Sequence, residues 1–415
     1  MGDIEPNPAP EASERSGETL SLRVAARMRD IAAKDWDACA QGGAALDQGP
    51  LCPDNPFISH AFLTALEDSG SATRATGWLP RHLLLEDQTG TLVGCMPCYA
   101  KSHSQGEYVF DHGWAEAYEH AGGRYYPKLQ ASVPFTPVTG RRLLVRAGAN
   151  QKEREALLLQ AAIEVTDRLG LSSFHITFPT RAEWELAGET FCLKRTDQQF
   201  HWRNEGYAAF GDFLEQLASR KRKAIRRERR EALQDGIAVE WVAGNDITEA
   251  HLDAFFAFYM DTGSRKWGSP YLTRDCFSLL AASMAKRMVL ILAKRSGRYV
   301  AGALNFIGGD TLYGRYWGGI EDHPFLHFEV CYYQAIEFAI AGKLARVEAG
   351  AQGAHKLARG YLPVETYSAH YIADPALRRA VADYLKRERR AVTHEIALLG
   401  AESPYRKSGL RSLSG

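Results

Sequence analysis

The fold is decided by the stretch Met288-Val-Leu-Ile-Leu-Ala-Lys-Arg-Ser-Gly-Arg-Tyr-Val-Ala-Gly-Ala-Leu-Asn-Phe-Ile-Gly-Gly-Asp-Thr-Leu-Tyr-Gly-Arg-Tyr-Trp317. Its runs of aliphatic, β-branched and aromatic residues predict strands at Met288–Lys294, Tyr299–Ile307 and Thr311–Trp317. The turn residues Ser-Gly and Gly-Gly-Asp separate these runs, as is typical of β-hairpins. The stretch therefore predicts an antiparallel meander of three strands.

Helices and strands surround this meander in a regular order. Two helices precede it, and the hydroxyl of Thr273 can cap the second of them. A third helix follows the meander and ends at Gly342, since glycine commonly terminates helices. The predicted elements of this half, besides the meander, are a strand at Ile237–Val242, helices at Glu249–Thr262, Thr273–Lys286 and Phe328–Ala341, strands at Ala345–Ala349 and Glu365–Ile372, and a helix at Pro375–Leu398.

The first half of the chain repeats this order. The segment Leu92-Val-Gly-Cys-Met-Pro-Cys-Tyr99 occupies the place that Tyr299-Val-Ala-Gly-Ala-Leu-Asn-Phe306 holds in the second half, as the second strand of a meander. The repetition indicates an internal duplication. The predicted elements are a strand at Ser21–Ile31, helices near Lys34–Gln41 and from Ser59, strands at His82–Glu86, Leu92–Lys101 and Glu107–Asp111, a helix at Glu153–Leu169 and a strand at Ser173–Phe178.

The order strand, two helices, three strands, helix, strand is similar to that of the GNAT acyltransferases. This resemblance implies an α/β (α+β) protein of two tandem GNAT domains, each a mixed twisted sheet flanked by helices. We expect the first domain at residues 19–200 and the second at 201–400. We also expect a disordered N-terminus at 1–18 and a loose C-terminal tail at 401–415.

Composition excludes several classes of protein. The chain has 415 residues, with 50 Lys and Arg against 50 Asp and Glu, so its surface is not generally basic. Cys95 and Cys98 lie on a predicted strand, where residues three apart point to opposite faces, and the cysteines show no zinc spacing. The most apolar stretch, Met288–Ala293, is far shorter than the ~20 residues of a membrane span. We predict a cytoplasmic protein without a bound metal.

Six motifs distinguish this chain within the tandem GNAT order: Asn55–Leu63, Gly77–Leu83, Tyr125–Leu129, Pro134–Pro137, Phe328–Gln334 and Glu348–Lys356. These motifs resemble those of one bacterial branch of the Fem-type transferases, which is labelled peptidoglycan biosynthesis or recognition protein, or GNAT-family N-acetyltransferase. The resemblance implies transfer of an acyl or aminoacyl group to an amine, a reaction of class EC 2.3. It also implies aminoacyl-tRNA as the donor and an acceptor groove between the tandem domains.

Candidate catalytic residues concentrate in the second half. Glu348 ends a predicted strand at the carboxyl edge, where open sheets place their ligands. A partly desolvated carboxylate or a histidine in such a cleft has a pKa suited to a general base, and we expect Glu348 or His355 to accept the proton from the amine. Alternatively, Glu329 is a helix-start carboxylate favoured by the helix dipole, and His370 a hydrogen-bonded strand residue. The predicted catalytic residues are Glu329, Glu348, His355 and His370, and the predicted substrate-binding residues nearby are Tyr316, Tyr333, Lys356 and Arg359.

The first half offers two further candidate sites. Asp111, Trp114 and Tyr126 belong to a polar and aromatic segment that suits a sugar or peptide, and the alternative is a packed loop. The usual Gly-rich GNAT turn is lacking in both halves. The turn at Gly140, Arg141 and Arg142 is the best-charged replacement, and we predict that it binds the pyrophosphate of coenzyme A. The alternative for this turn is a surface loop.

One helix carries most of the local positive charge. Residues 220–231 hold eight basic and two acidic side chains, so the rest of the chain has a net charge of 42 − 48 = −6. Such a helix suits an RNA backbone or a nucleotide phosphate, and we select Arg222, Arg226 and Arg230 as its contacts. The alternative is a solvated helix that balances acidic surface elsewhere.

These observations predict an N-acyltransferase. Its acceptor is a small-molecule or peptide amine, and its favoured donor is acyl-CoA. An aminoacyl-tRNA-dependent transferase acting on a cell-wall precursor or peptide is the first alternative, with tRNA bound at the basic helix. A non-catalytic protein that recognises a peptidoglycan precursor is the second. The sequence does not predict the oligomeric state.

Overall fold

The computed structural model describes residues 18–42, 54–266, 270–350 and 353–406. The predicted disordered N-terminus lies outside these ranges apart from residue 18. The strands are β1 (Ser21–Ala25), β2 (Trp78–Pro80), β3 (His82–Glu86), β4 (Leu92–Met96), β5 (Cys98–Lys101), β6 (Lys128–Ala131), β7 (Leu144–Val145), β8 (Ser173–Thr177), β9 (Leu193–Arg203), β10 (Ile237–Ala243), β11 (Met288–Arg295), β12 (Arg298–Gly308), β13 (Thr311–Gly319), β14 (Arg346–Glu348) and β15 (Leu362–Ile372).

Helices cover both faces of these strands. A π-helical turn at Glu329–Tyr333 joins α10 to α11, and a 3-10 helix at Ala354–Arg359 precedes β15. The helices are α1 (Ala33–Gln41), α2 (His60–Asp68), α3 (His112–His120), α4 (Gln151–Arg168), α5 (Arg181–Glu189), α6 (Phe210–Gln216), α7 (Ser219–Ala232), α8 (Glu249–Lys266), α9 (Arg274–Met284), α10 (Leu326–Phe328), α11 (Gln334–Ala341) and α12 (Pro375–Ala401).

The strands form two sheets. The smaller sheet has the order β1-β3-β4-β7, and the larger one has the order β10-β11-β12-β13-β14-β9-β15-β8-β6-β5-β2. In each half, the last strand of an antiparallel series pairs in parallel with a strand that comes later in the chain, after a helix. That helix is α4 in the first half and α11 in the second. These parallel pairs are β6 with β8 and β13 with β14. The shared arrangement agrees with the predicted duplication.

The two halves exchange their last strands. Strand β9, from the first half, pairs with β14 of the second, and β15, from the second half, pairs with β8 of the first. The exchanged strands also pair with each other in antiparallel fashion, from Leu362 with His201 to His370 with Leu193. Because each exchanged strand completes the sheet of the other half, one continuous sheet crosses the molecule.

Local sequence signals explain several helix starts. The Ser59 hydroxyl accepts a hydrogen bond from the backbone N–H of Phe62 at 3.3 Å, and the Thr273 hydroxyl accepts one from Cys276 at 3.3 Å. The predicted cap at Thr273 is confirmed, and Ser59 caps the predicted start of α2 in the same way. Apolar faces of these helices pack into one core that contains residues of both halves, and the rings of Phe57 and Phe306 lie 5.2 Å apart within it.

Three strand predictions in the first half need correction. The predicted strand Ser21–Ile31 ends at Ala25, and a 3-10 helix follows at Met28–Asp30. The predicted strand Leu92–Lys101 is divided at Pro97, because proline has no N–H to donate to a sheet ladder, and its parts β4 and β5 join different sheets. The predicted strand Glu107–Asp111 is wrong, since these residues form an irregular segment before α3. The third strand of the series is instead β6, which pairs antiparallel with β5.

Residues 402–406 belong to the segment predicted as a loose tail. In the structure the Ala218 N–H donates to the Pro404 carbonyl at 2.9 Å, and the Tyr405 hydroxyl donates to the Gly360 carbonyl at 2.9 Å. The chain after α12 thus packs against the junction between α6 and α7. Residues 407–415 lie outside the described ranges.

Candidate functional site

Strands β13 and β14 are parallel neighbours that soon part. Their register ends at the pair of Tyr313 with Glu348. Beyond this pair β13 continues to Gly319, whereas β14 has ended and the chain turns at Gly350, whose φ of +77° favours glycine. The two strands therefore diverge at the carboxyl edge of the sheet, where α/β proteins place ligands.

A β-bulge lies on β13 where this divergence begins. Leu304 of β12 pairs with Tyr316, but the next residue, Asn305, pairs with Gly314, so Arg315 is the extra residue. A bulge bends its strand and increases the local twist, and bulges are frequent next to active sites. The bulge thus widens the space between β13 and the chain that follows β14.

A cleft of about 470 Å³ opens at the divergence, and both halves of the chain contribute to it. The first half supplies Pro137 and an irregular segment that precedes and enters α3. The second half supplies residues of β13, of the turn after β14, of α8 and the chain that follows it, and of the 3-10 helix before β15. The lining residues are Ser104, Gln105, Gly106, Tyr108, Phe110, His112, Pro137, Tyr259, Thr262, Gly263, Pro270, Tyr271, Gly314, Arg315, Tyr316, Trp317, Ala349, Gly350 and Lys356.

Aromatic rings form much of this lining. The Tyr259 and Tyr316 rings meet edge-on at 5.6 Å, and the Tyr271 ring stacks on Phe135 at 4.9 Å. Burial raises the pKa of Tyr259 to about 12, so its hydroxyl stays protonated. It accepts hydrogen bonds from the backbone N–H groups of Tyr271 and Leu272. Among the described lining residues there is no carboxylate, and the cleft suits a substrate with an apolar body.

Lys356 contributes a cation to the wall. Its Nζ donates to the Ala349 carbonyl at 2.6 Å and to the Gly350 carbonyl at 3.0 Å, which fixes the turn after β14. Burial lowers the pKa of Lys356 to about 8, so the ammonium is still mostly charged at pH 7. The predicted substrate-binding residues Lys356 and Tyr316 both lie in this lining.

Glu348 lies behind the lining, not in it. Its side chain is 4% exposed and its Oε2 is 3.3 Å from Nη2 of Arg315. The ring of His201 faces the same carboxylate, with Nε2 4.0 Å from Oε1. Burial lowers the pKa of Arg315 and of His201. Glu348 thus compensates the buried charge at the bulge of β13.

His355 is the exposed neighbour of Lys356 and, like Glu348, is absent from the described lining of the cleft. Its Nε2 is hydrogen-bonded to the Tyr332 hydroxyl at 3.0 Å, and its ring lies 5.6 Å from that of Phe328. Partial burial and the positive charges of Arg359 and Lys356 lower its pKa below the ordinary histidine range. The ring is therefore neutral at pH 7 and able to accept a proton.

Glu329 is paired with the basic helix. Its carboxylate is 0% exposed and accepts three contacts of 2.9–3.2 Å from the Nε and Nη2 of Arg229, on α7. Glu228 of the same helix accepts hydrogen bonds from the Tyr333 hydroxyl and, at 2.9 Å, from Arg359. Glu329, Tyr333 and Arg359 thus join α7 to the π-turn and to the 3-10 helix that carries Lys356.

His370 lies elsewhere, in the first half's sheet. Its Nδ1 is 2.6 Å from Nδ1 of His175, and burial lowers its pKa far below the ordinary value. The Trp114 ring meets it edge-on at 5.0 Å. The structure therefore does not bring His370 together with Glu348 and His355, but it does bring it close to Trp114, one of the residues predicted for the first-half site.

Asp111 is hydrogen-bonded to Lys128, and Tyr126 is hydrogen-bonded to Ser104, which is another partner of Lys128. The Lys128 Nζ donates to Asp111 Oδ2 at 2.5 Å, and the Tyr126 and Ser104 hydroxyls are 2.8 Å apart. The Tyr125 hydroxyl donates to the same Asp111 oxygen at 2.7 Å. Asp111 is buried, so in this structure it is part of an internal network.

The corresponding divergence in the first half is filled. Strands β6 and β8 pair in parallel as far as Ala131 and Ile176. Residues 132–140 then pack against the end of β8, and the Gly140 N–H donates to the Phe178 carbonyl at 3.0 Å. The chain itself occupies this position in the first half, whereas the divergence in the second half opens into the cleft.

The predicted coenzyme A turn is used internally. Arg142 is completely buried, burial lowers its pKa to about 10, and its three nitrogens all donate to backbone carbonyls. Arg141 donates to the Cys39 and Leu143 carbonyls. Both arginines therefore stabilise the local fold through these hydrogen bonds. The carbonyls bound by Arg142 belong to Val138, Gly140, Arg141 and Thr177.

The outer face of α7 presents the remaining basic residues. Arg222 and Arg226 contact Glu215 at 2.7 and 3.4 Å. Arg230 is exposed and forms no ion pair with the described residues. The helix therefore has an inner face that holds the second half together and an outer face rich in arginine.

The sequence did not single out most of the cleft. Tyr108, Phe110 and His112 belong to the polar and aromatic segment that the sequence predicts as a sugar or peptide site, although part of that segment is also predicted as a strand. The density of aromatic residues around position 110 is the signal for it, whereas Tyr259 and Tyr271 carry no predicted role. The bulge that makes Arg315 a lining residue has no local signature, because it depends on the pairing of β12 with β13.

Within residues 18–42, 54–266, 270–350 and 353–406, no three His, Cys, Asp or Glu side chains form a group that suits a metal ion. The helices in these ranges also lack the combination of length and apolarity that a membrane span requires.

The fold is that of a tandem GNAT protein. The FemX structure superposes on 85% of this chain and 98% of its own, with a TM-score of 0.53 and 13% sequence identity. Two more distant structures also match. L-PGS from Bacillus licheniformis covers 80% of this chain and 97% of its own (9% identity, TM-score 0.48), and a tandem GNAT protein from the clavulanic acid biosynthesis pathway covers 86% and 99% (11% identity, TM-score 0.46).

A family model described as peptidoglycan biosynthesis/recognition, FemAB-like, matches residues 27–407. The chain belongs to this family. The predicted family and the predicted fold class are both confirmed. No curated protein matches the chain.

Proposed function

We propose that this protein is an N-acyltransferase that moves an acyl or aminoacyl group from an activated donor to the amine of a peptide or peptidoglycan precursor. We assign the reaction to the cleft between β13 and β14. The observation that carries the proposal is the open divergence of these strands, with Lys356 in its wall. Membership of a family described by peptidoglycan biosynthesis/recognition supports the class of acceptor.

The proposed reaction replaces one bond to the acyl carbon with another. The neutral amine attacks the carbonyl carbon, a C–N bond forms, and the C–S or C–O bond to the donor breaks. The donor leaves as a thiol or an alcohol, and the amine gives up one proton. A cation aimed at the developing oxyanion lowers the barrier, and the Lys356 ammonium is the cation that we assign to this role.

We assign the proton acceptor to His355. Of the two predicted bases, Glu348 is buried behind the lining and its carboxylate is paired with the guanidinium of Arg315 at 3.3 Å. His355 is exposed, adjacent to Lys356 and neutral at pH 7 because its pKa is lowered. A positioned base is typically worth ~10²–10⁴-fold in rate.

The test is a transfer assay with the full chain, acyl-CoA and aminoacyl-tRNA donors, and peptide amines, with the amide product measured by mass spectrometry. We expect His355→Gln to retain donor binding and to lower turnover by ~10²–10⁴-fold. His394→Gln, which changes an exposed histidine on α12, is the control and should behave as wild type. Binding of a precursor without product from any donor contradicts the proposal and favours a recognition protein.

The donor is a separate question. Acyl-CoA suits the fold, but the turn at Gly140, Arg141 and Arg142 is used internally. The helix after β13 is preceded by Glu321, whose carboxylate is held by Arg295 and His323, and an acidic residue disfavours a pyrophosphate there.

The arginine-rich outer face of α7 favours aminoacyl-tRNA as the donor. We expect the triple change of Arg222, Arg226 and Arg230 to Glu to abolish tRNA binding and leave acyl-CoA binding unchanged, as measured by calorimetry at a fixed salt concentration. Undiminished tRNA binding by this variant contradicts the tRNA assignment, and saturation by acyl-CoA with a heat signal supports the alternative donor.

A further inference from the structure

One wall of the cleft is an irregular segment of the first half, residues 104–112. Six of its nine residues line the cleft, but the segment has no sheet neighbour and enters a helix only at His112. A wall of this kind needs side-chain contacts to hold one shape. The lining residues are Ser104, Gln105, Gly106, Tyr108, Phe110 and His112.

A single buried ammonium holds this wall at three points. Lys128, on β6, is 0% exposed, and its Nζ donates to Ser104 Oγ at 2.8 Å, to Glu107 Oε2 at 2.8 Å and to Asp111 Oδ2 at 2.5 Å. An ammonium group has three N–H donors, so all three are directed to the wall segment. Burial disfavours the charge, but the carboxylates of Glu107 and Asp111 outweigh it and raise the pKa of Lys128, which stays protonated.

A second lysine, Lys101 of β5, contacts the same segment. The Lys101 Nζ donates to the Gln105 carbonyl at 3.3 Å and lies 3.8 Å from Glu107 Oε1. It also lies 3.6 Å from the centre of the Trp78 ring. At the far end of the wall, Arg195 of β9 donates to the Phe110 carbonyl at 2.8 Å. The wall is thus fixed to β5, β6 and β9, which are strands of the main sheet.

Global stability does not explain such a cluster. Desolvation of buried charges costs about as much as their attraction returns, so apolar residues of similar volume are often equally stabilising. What the cluster does provide is a defined shape, because the three acceptors of one ammonium cannot separate without leaving a buried charge unpaired. Lys128 itself is absent from the described lining of the cleft, so it acts through the segment that it holds.

We propose that Lys128 is a positioning residue for the cleft: it gathers Ser104, Glu107 and Asp111 so that residues 104–112 form the wall against which the acceptor binds. That the acceptor occupies the cleft rests on the proposed function. That Lys128 orders the wall rests on the hydrogen bonds alone. The inference also accounts for Asp111 and Tyr126, which the sequence assigned directly to a substrate.

Hydrogen exchange in the full-length protein tests the wall without an activity assay. In Lys128→Met we expect amide protection in residues 102–112 to fall at least about tenfold, while β11 keeps its protection, because local opening needs less free energy than global unfolding. Lys152→Met, which changes an exposed lysine on α4, is the control and should match wild type. Equal protection in Lys128→Met and wild type, or an equal loss in the wall and β11, overturns the proposal.

A second variant covers the case in which Lys128→Met does not fold. The double change Ser104→Ala with Glu107→Met removes two acceptors and one negative charge but keeps the ammonium and Asp111. The same local loss of protection supports the proposal, and unchanged protection overturns it.

Transfer kinetics then separate this inference from the proposed function. If the protein is a transferase, we expect Lys128→Met to raise the KM for the acceptor about 10–100-fold with a smaller change in kcat, because a misplaced wall weakens positioning. An unchanged acceptor KM overturns the role of the wall and leaves the transferase assignment standing. If wild type forms no product, the transferase assignment fails, and the hydrogen-exchange result alone decides whether Lys128 orders the wall.

Discussion

At the scale of single residues, the unusual feature is a lysine whose charge is held in a largely aromatic cleft. Lys356 keeps two backbone carbonyls as partners, and burial brings its pKa down to about 8. The proposed role of this lysine requires the ammonium form. The proposed role of His355 requires the neutral ring, and its pKa is lowered as well. Both forms therefore coexist above the lowered pKa of His355 and below about pH 8, a range that includes neutrality.

The pH dependence of transfer follows from these two groups. Activity should fall as pH rises through about 8, because Lys356 loses its proton, and should fall again at acidic pH, where His355 gains one. Lys356→Arg should move the alkaline fall to a much higher pH, since guanidinium stays protonated there. The measurement is kcat/KM between pH 5 and pH 10, a range of about five units around neutrality. An alkaline fall near pH 8 that persists in Lys356→Arg contradicts the assigned role.

Glu348 has a structural role that mutation can separate from catalysis. Glu348→Gln removes the partner of the buried Arg315, so it should lower the free energy of unfolding by about 3–5 kcal/mol. Glu153→Gln, at the exposed start of α4, should change it by no more than about 0.5 kcal/mol. Urea denaturation measures both. A Glu348→Gln protein with wild-type stability indicates that the ion pair is dispensable.

The positions of site residues were predictable where they depend on the local sequence. Glu348, at the end of a strand, and Lys356, after a glycine-rich turn, were both found in the neighbourhood of the cleft. His370 was not, because its position depends on which strand β15 pairs with, and that partner, β8, lies in the other half of the chain. Pairing between strands that are distant in the chain produces no local sequence pattern around a histidine.

At the scale of elements, α7 has two functions that its composition alone does not distinguish. Ile225, Glu228, Arg229 and Ala232 follow helical spacing and face the second half, whereas the other arginines are mostly outside. The spacing of Ile225 and Ala232 was a signal for the inner face. The sequence nevertheless predicted the helix and its excess charge, because both are local properties.

Substitutions on the two faces of α7 should therefore differ. Arg229→Met leaves the buried Glu329 without its cation and should cost about 3–5 kcal/mol of unfolding free energy. Arg230→Met, one residue further along and exposed, should change it by at most about 0.5 kcal/mol. Equal effects of the two changes in urea denaturation contradict the division of the helix into an inner and an outer face.

At the scale of the whole molecule, the exchange of β9 and β15 makes the two halves depend on each other. The sequence predicted two duplicated halves and most of their elements, since periodicity, caps and turns are local. It did not predict that each half completes the other's sheet, because register between distant strands is set by packing. The division at residue 200 stays a prediction, and it lies within β9.

A fragment of residues 1–200 should not fold alone. It lacks β15 entirely and part of β9, so β8 is left at an open sheet edge with its apolar neighbours exposed. We expect no cooperative thermal transition by circular dichroism for this fragment. Coexpression with residues 201–415 should restore a transition at least in part. A cooperative transition in the isolated fragment contradicts the mutual dependence of the halves.

The central claim is that donor and acceptor meet where β13 and β14 part. The most direct measurement is a crystal structure of the full chain with a non-reactive donor analogue, either a thioether of coenzyme A or an aminoacyl-adenosine amide. We expect the acyl carbonyl of one analogue to lie between β13 and the turn at Ala349 and Gly350, within hydrogen-bond reach of the Lys356 Nζ. An analogue bound at another place, with the cleft empty, contradicts it.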